Sequence, residues 1–196
     1  MLPRWVAWSI AAVVVACAAG LALLITLPNG GGQGTGTPTP HPGAAELTAY
    51  TSALRGPTSD GGQVVEQEMK PSIGEFSQGQ VDAATFVARA RGWQIALRQV
   101  RDRIDHIPVP PAIAAARGLF DQAMDDYVAA AKLFEQAGNT PAGAAREAAI
   151  TKAIDQARAA DAQFDQAAAV VQRALAAAGL QPDTALPNPT PVASPG

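Results

Sequence analysis

The sequence predicts an all-α protein: an up-down helical bundle behind a single N-terminal transmembrane helix. Residues 5–27 are apolar and carry no charge. Between residues 44 and 180, apolar side chains recur every three or four positions, which is the spacing of one helix face, and no stretch shows the alternation typical of a strand. Clusters of proline and glycine divide this region into three long helices and a broken, short N-terminal arm.

The N-terminal apolar segment, Trp5 to Leu27, predicts a membrane anchor. A helix over residues 5–27, rising about 1.5 Å per residue, spans the hydrocarbon core of roughly 30 Å. Arg4 is the only charged side chain before Glu46, so the positive-inside rule puts residues 1–4 in the cytoplasm. We therefore expect a single-pass protein of the cell membrane whose C-terminal domain is extracytoplasmic.

Cys17 leaves two alternatives to this anchor. Val14, Val15, Ala16 and Cys17 resemble a bacterial lipobox, a resemblance that implies cleavage before Cys17 and lipidation of its thiol. A cleaved signal peptide is the other alternative. The sequence stays apolar from Ala18 to Leu27, whereas a mature lipoprotein usually turns polar at once, so the uncleaved anchor is favoured. All three forms leave the domain on the same side of the membrane.

Two low-complexity segments flank the domain. Residues 28–43 contain no charged side chain and are rich in Gly, Pro and Thr, which predicts a disordered spacer. Residues 181–196 are rich in proline and predict a disordered tail. Residues 44–180 should form the bundle, and because Cys17 is the sole cysteine, its stability must come from packing.

Each long helix carries an apolar stripe. The first stripe is Phe86, Ala90, Trp93, Leu97, Val100, Ile104 and Ile107. The second alternates large residues and alanines, each at seven-residue spacing: Ile113, Phe120, Tyr127 and Phe134, then Ala116, Ala123, Ala130 and Ala137. The third comprises Ile150, Ile154, Ala157, Phe164, Ala168, Val171, Leu175 and Ala178. Large residues alternating with alanine predict close, nearly antiparallel packing.

The N-terminal arm is predicted as two short helices. One carries Leu47, Tyr50 and Leu54, and the other carries Val65, Met69, Ile73 and Phe76. Gly56-Pro57 and Gly61-Gly62 should separate them, and Pro71 should cause either a kink or a helix start. The short, proline-containing connections around residues 108–111 and 138–141 force neighbouring helices to be antiparallel.

Candidate catalytic and metal sites are absent from the sequence pattern. His41 lies in the spacer and His106 lies before a proline-rich break, so the two imidazoles have no helical spacing that would let them share a metal. Asp121, Asp125 and Asp126 lie on a predicted helix without the loop carbonyls of a calcium site. The net charge of -3 argues against a nucleic-acid partner. We expect no cofactor and no enzymatic activity.

Five residues are candidates for a ligand or anion surface: Arg91, Arg98, Arg101, Trp93 and Tyr127. An arginine cluster, completed by Arg89 and Arg103, could bind an anionic ligand or lipid head groups. The competing interpretation pairs Arg98 with Asp102 and Arg101 with Asp105, each four residues apart on one helix. Trp93 and Tyr127 could line a pocket, but core packing is the commoner fate of aromatic residues on an apolar stripe. Asp161 should be solvated or paired with Arg158.

These patterns predict a non-enzymatic interaction or structural module of a bacterial cell envelope. Residues 1–4 are too few to form an output domain, so the anchor would tether the bundle rather than transmit a signal. Its partner would be an unidentified envelope protein or a second copy of the chain. The alternative is a bundle that binds an apolar or anionic small molecule.

Overall fold

The computed structural model describes residues 43–186, and this part of the chain is helical apart from short turns and loops. Its α-helices are α1 (Ala44–Gly62), α2 (Lys70–Ser77), α3 (Ala83–Asp105), α4 (Ala114–Asn139) and α5 (Ala144–Ala177). A π-helical segment, Gln63–Met69, joins α1 to α2, and a 3-10 turn, Pro111–Ile113, precedes α4. No strand occurs between residues 43 and 186, so the all-α prediction is confirmed for that range.

Several predicted features lie outside the described residues: the cytoplasmic residues 1–4, the anchor at 5–27 with Cys17, the spacer up to residue 42 with His41, and the chain from residue 187. None of the helices between residues 43 and 186 has both the length and the hydrophobicity needed to cross a bilayer.

The N-terminal arm is one continuous helical rod, so the predicted separation at Gly56-Pro57 and Gly61-Gly62 is wrong. Helical backbone extends without a gap from Ala44 to Ser77, with Pro57 inside α1. The irregularity lies at the π-helical segment, where the N–H of Lys70 donates to the carbonyl of Val65, five residues back. Pro71 follows in the first turn of α2, where its missing N–H is tolerated. Pro71 therefore lies where the π-helical hydrogen bonding gives way to that of α2, within a continuous helix.

The four helical arms pack as successive neighbours. α4 packs most extensively against α5, and next against α3, while α1 contacts α3 and, more sparsely, α5. The connections between the arms are short, which makes consecutive arms antiparallel. The core is therefore enclosed by the arm comprising α1, the π-helical segment and α2, together with α3, α4 and α5.

The α3 stripe is confirmed, since each of its seven residues is buried. Its aromatic members hold three helices together. The ring of Phe86 stacks on Phe76 of α2 with centroids 4.0 Å apart, and it meets Trp93 edge-on at 5.8 Å. Phe134 of α4 meets both Phe86 and Trp93 edge-on, each at 6.3 Å. Such edge-to-face pairs add to the free energy of apolar burial.

Two rows of alanine line the interface between α4 and α5. Ala116, Ala123, Ala130 and Ala137 of α4 are completely buried, as predicted. On α5 the completely buried row is Ala153, Ala160 and Ala167, again at seven-residue spacing. The predicted residues Ile150, Ile154, Ala157 and Phe164 are only partly buried. These four residues pack against the core while remaining partly exposed, so the predicted stripe is only partly right for the first half of α5, where the completely buried positions are alanines.

The start of the predicted tail belongs to the folded domain. The side-chain amide of Gln172 donates to the carbonyl of Asp183 at 2.7 Å and accepts from its N–H at 3.1 Å. The carboxylate of Asp183 pairs with Arg55 of α1 at 3.3 Å, and Leu186 is buried. Residues 181–186 are thus packed on the bundle, and the predicted domain boundary at residue 180 is too early.

The contact between α4 and α3 at Gly138 leaves no room for a side chain. A Cβ at this position would lie 2.6 Å from Cγ2 of Val87 and 3.2 Å from Cδ1 of Phe86. We expect Gly138→Ala to lower the free energy of unfolding by about 1–3 kcal/mol through overpacking. Gly118→Ala, in the same helix but with open space around its Cβ, should raise it by about 0.5–1 kcal/mol. Denaturant unfolding of the full chain in mild detergent measures both, and equal effects of the two substitutions would contradict the close contact.

Candidate functional site

Two arginines of the predicted cluster connect α3 to the N-terminal arm. Arg89 pairs with Glu75 of α2 at 2.6 Å and also donates to the hydroxyl of Ser72 at 3.0 Å. Arg103 pairs with Asp60 of α1 at 2.7 Å. These guanidinium groups are therefore used within the fold, to hold the arm against α3.

Two further arginines connect α3 to α4. Arg91 donates to Glu135 at 2.7 Å, and Arg101 pairs with Asp125 at 2.7 Å. Glu135 also accepts from the amide of Gln94 at 2.8 Å. The hydrogen bond from Gln94, followed by that from Arg91, lowers the pKa of Glu135 below its usual value.

The predicted pairing within α3 is only partly right. Arg101 and Asp105 are 4.0 Å apart, farther than Arg101 and Asp125 on the neighbouring helix. Arg98 and Asp102 form no ion pair within residues 43–186, so that prediction is wrong. Asp105 instead pairs with Arg117 of α4 at 3.0 Å. Acids on the adjacent helix lie closer to the guanidinium groups than those one turn along α3.

Trp93 and Tyr127 are core residues. Trp93, 2% exposed, packs between Phe86 and Phe134 on the face of α3 opposite Arg91. The hydroxyl of Tyr127 donates to Asp161 of α5. The predicted partner of Asp161, Arg158, pairs instead with Asp155 at 3.2 Å. The aromatic and arginine candidates therefore do not share a pocket.

An exposed surface remains on α3, and we call it the α3 outer face: Arg91, Ile95, Arg98 and Asp102. These residues follow one another at steps of four, three and four, so they lie on a single helix face. Ile95 is 57% exposed, and it is the one large hydrophobic residue between residues 43 and 186 that is exposed. Ile95 was not among the predicted site residues because it lies off the apolar stripe. Its position between two arginines on the same face could have identified it.

A second feature is an apolar groove at the end of the bundle where α1 begins. It has a volume of about 410 Å³ and lies between α1 and the connection from α3 to α4. Its wall on α1 comprises Ala49, Tyr50 and Ala53, with Glu46 at one end, and residues 107–111 form the other wall. Tyr50 is 3% exposed, and burial raises its pKa to about 12. Its hydroxyl has no hydrogen-bond partner within the described part of the chain.

A metal site is not apparent in the range 43–186, where no three His, Cys, Asp or Glu side chains converge as ligands. His106 contacts the carbonyl oxygen of Asp102 through Nδ1 at 2.6 Å. Asp121 pairs with Arg117 at 3.0 Å, Asp125 with Arg101 at 2.7 Å, and Asp126 accepts from Gln156 at 2.8 Å. These three acids therefore have partners from the protein itself.

Comparison of the chain with models of protein families, with curated proteins and with solved structures found no match.

The two tyrosines of the chain should ionise well above their ordinary pKa of 10.0 while the bundle is folded. Burial raises the pKa of both, to about 12 for Tyr50, and the negative charge of Asp161 raises that of Tyr127 further. Because folding raises these values, the stabilising contribution is complete below about pH 10 and is lost as the pH rises through the folded-state pKa. Ultraviolet absorbance of phenolate during an alkaline titration measures this. Half-maximal phenolate signal at pH 10, with native circular dichroism retained, would contradict the buried environments.

Proposed function

We propose that this chain is a membrane-tethered, non-enzymatic interaction module of a bacterial cell envelope, which binds its partner through the α3 outer face. Residues 5–27 would hold it in the cell membrane, with residues 1–4 in the cytoplasm and residues 44–186 outside. The support for the tether is the uncharged apolar run, preceded by Arg4 as the only charged side chain. The support for the surface is the position of Ile95.

The exposure of Ile95 between two arginines carries the proposal. A single exposed aliphatic side chain is common on soluble proteins and alone means little. Here it is flanked along one face by Arg91, whose side chain is 63% exposed, and by Arg98, which has no ion pair within the described chain. Arginine is enriched at protein interfaces, and apolar side chains at their centres. Because Arg91 already pairs with Glu135, the complementary partner would present an apolar patch to Ile95 and a carboxylate to Arg98.

Binding of a small molecule inside the bundle has less support. That alternative requires Trp93 and Tyr127 to line a pocket, whereas Trp93 packs among aromatic rings and Tyr127 hydrogen-bonds to Asp161. Binding of an anion to the outside would need Arg91, Arg98 and Arg101 together. Arg91 and Arg101 already pair with acids of α4. Of the three arginines, Arg98 alone has no ion pair within residues 43–186.

The form of the tether follows from the chemistry at Cys17. An uncleaved anchor leaves a chain of 20.0 kDa. Lipidation at Cys17 would shorten the chain and add acyl groups, while a cleaved signal peptide would shorten it without them. The intact mass of the protein extracted from membranes distinguishes these forms, and the proposal of an uncleaved anchor fails if the full-length mass is not found.

Site-specific photo-crosslinking tests the surface. A photoreactive residue at Ile95, introduced in the native membrane, should yield a discrete covalent complex whose partner peptide is identified by mass spectrometry. Arg98→Glu should reduce the yield several-fold because it opposes the carboxylate expected on the partner. A probe at Ala159, exposed on α5, is the matched control. Equal labelling from both positions, labelling of lipid alone, or insensitivity to Arg98→Glu would contradict the proposed interface.

A further inference from the structure

We propose that the last residues of the spacer, 39–42 (Thr-Pro-His-Pro), dock into the apolar groove beside α1. The docked segment would lie between α1 and the connection from α3 to α4. This inference concerns the chain's own residues and does not depend on the partner of the α3 outer face.

The groove offers a mostly apolar surface that nothing in residues 43–186 covers. Ala49 and Ala53 line the groove and are exposed. The ring of Tyr50 and the loop residues Ile107, Pro108 and Val109 complete the lining. Because Tyr50 is buried, the exposed lining consists mainly of Ala49, Ala53, Pro108 and Pro111, an apolar surface against which proline rings can pack.

The groove lies close in sequence to the end of the spacer, because it begins within the first turn of α1. Gly43, the residue before α1, has a φ of 87°, a left-handed conformation that glycine adopts readily and that turns the chain sharply at the helix start. Its carbonyl accepts from the N–H of Leu47 at 2.9 Å, so the turn is fixed by the first helical hydrogen bond. Glu46 and Ala49, within the first two turns of α1, already line the groove.

The length and charge of the segment fit the groove. Four residues in polyproline II geometry cover about 12 Å. Measured from Gly43, where the segment joins α1, the groove residues Glu46 to Ala53 lie about 4 to 15 Å along the helix axis, so the segment reaches most of the groove. Pro40 and Pro42 supply the apolar surface, and His41 can meet the carboxylate of Glu46, which is the charged side chain of the lining. The proline-rich segment beyond Leu186 offers no charged or imidazole side chain for that position.

Photo-crosslinking of the full chain in its membrane tests the docking. A photoreactive residue at Thr39 should form crosslinks within one molecule to peptides containing residues 46–53 or 107–111. The same probe at Thr190, in the C-terminal segment, should not label these peptides. Ala53→Arg, which places a charged side chain in the groove, should lower the Thr39 yield several-fold. Thr48→Arg, an exposed position of α1 outside the groove, should leave it unchanged.

Circular dichroism establishes that the variants remain folded. If the Ala53→Arg variant does not fold, Ala49→Arg tests the groove at a second exposed position. The proposal is overturned if the Thr39 probe labels no groove peptide or labels the groove of a second molecule. It is also overturned if the Thr190 probe labels the groove instead, or if Ala53→Arg and Ala49→Arg leave the Thr39 yield unchanged.

Discussion

The interface between α4 and α5 depends on alanine. Both helices present rows of alanine at seven-residue spacing, and each alanine in those rows is completely buried. A methyl group projects little beyond the backbone, so the two helices can approach closely and gain many weak contacts along their length. The larger residues, such as Ile154 and Phe164, then lie at the edges of the interface, where they are partly buried.

Polar pairs at the edges of this interface fix the relative position of the two helices. Tyr127 donates to Asp161, and Gln156 donates to Asp126 at 2.8 Å, so each helix contributes donors and acceptors to the other. The arginines of α3 act in the same way towards α4 and the N-terminal arm. Exposed pairs of this kind add little free energy each, commonly less than about 1 kcal/mol, but they disfavour other arrangements of the helices. The arginine cluster is therefore largely explained as a part of the fold.

The sequence predicted α3 and α4 well because their largest apolar residues and their buried residues coincide. It was only partly right for the first half of α5, where Ile150 and Ile154 pack against the core while partly exposed, and alanines occupy the completely buried positions. In an alanine-rich helix several faces are apolar enough to be buried. Which face is buried depends on how the neighbouring helix packs. The arm was predicted as broken because Gly56, Pro57 and Pro71 disfavour helix in isolation. Packing of Leu54 and Met69 in the core outweighs that preference.

Contacts distant in sequence were beyond prediction. No local sequence pattern predicts the hydrogen bonds between Gln172 and the backbone of Asp183, or the ion pair between Asp183 and Arg55. Among the candidate site residues, Arg91 and Arg98 were predicted on the correct, exposed face. Ile95 lies outside the apolar stripes, so the periodic pattern does not indicate its role. The groove beside Tyr50 also depends on the fold, because its two walls are more than fifty residues apart.

The close packing of α4 against α5 is tested most directly by two neighbouring alanines of α5. Ala160 is completely buried and Ala159 is exposed, and leucine has a high helix propensity at either position. Ala160→Leu should lower the free energy of unfolding of the full chain by about 1–3 kcal/mol. Ala159→Leu should change it by no more than about 0.5 kcal/mol. Equal stability of the two variants would mean that the interface has room for a larger side chain, and would contradict the close approach of α4 and α5.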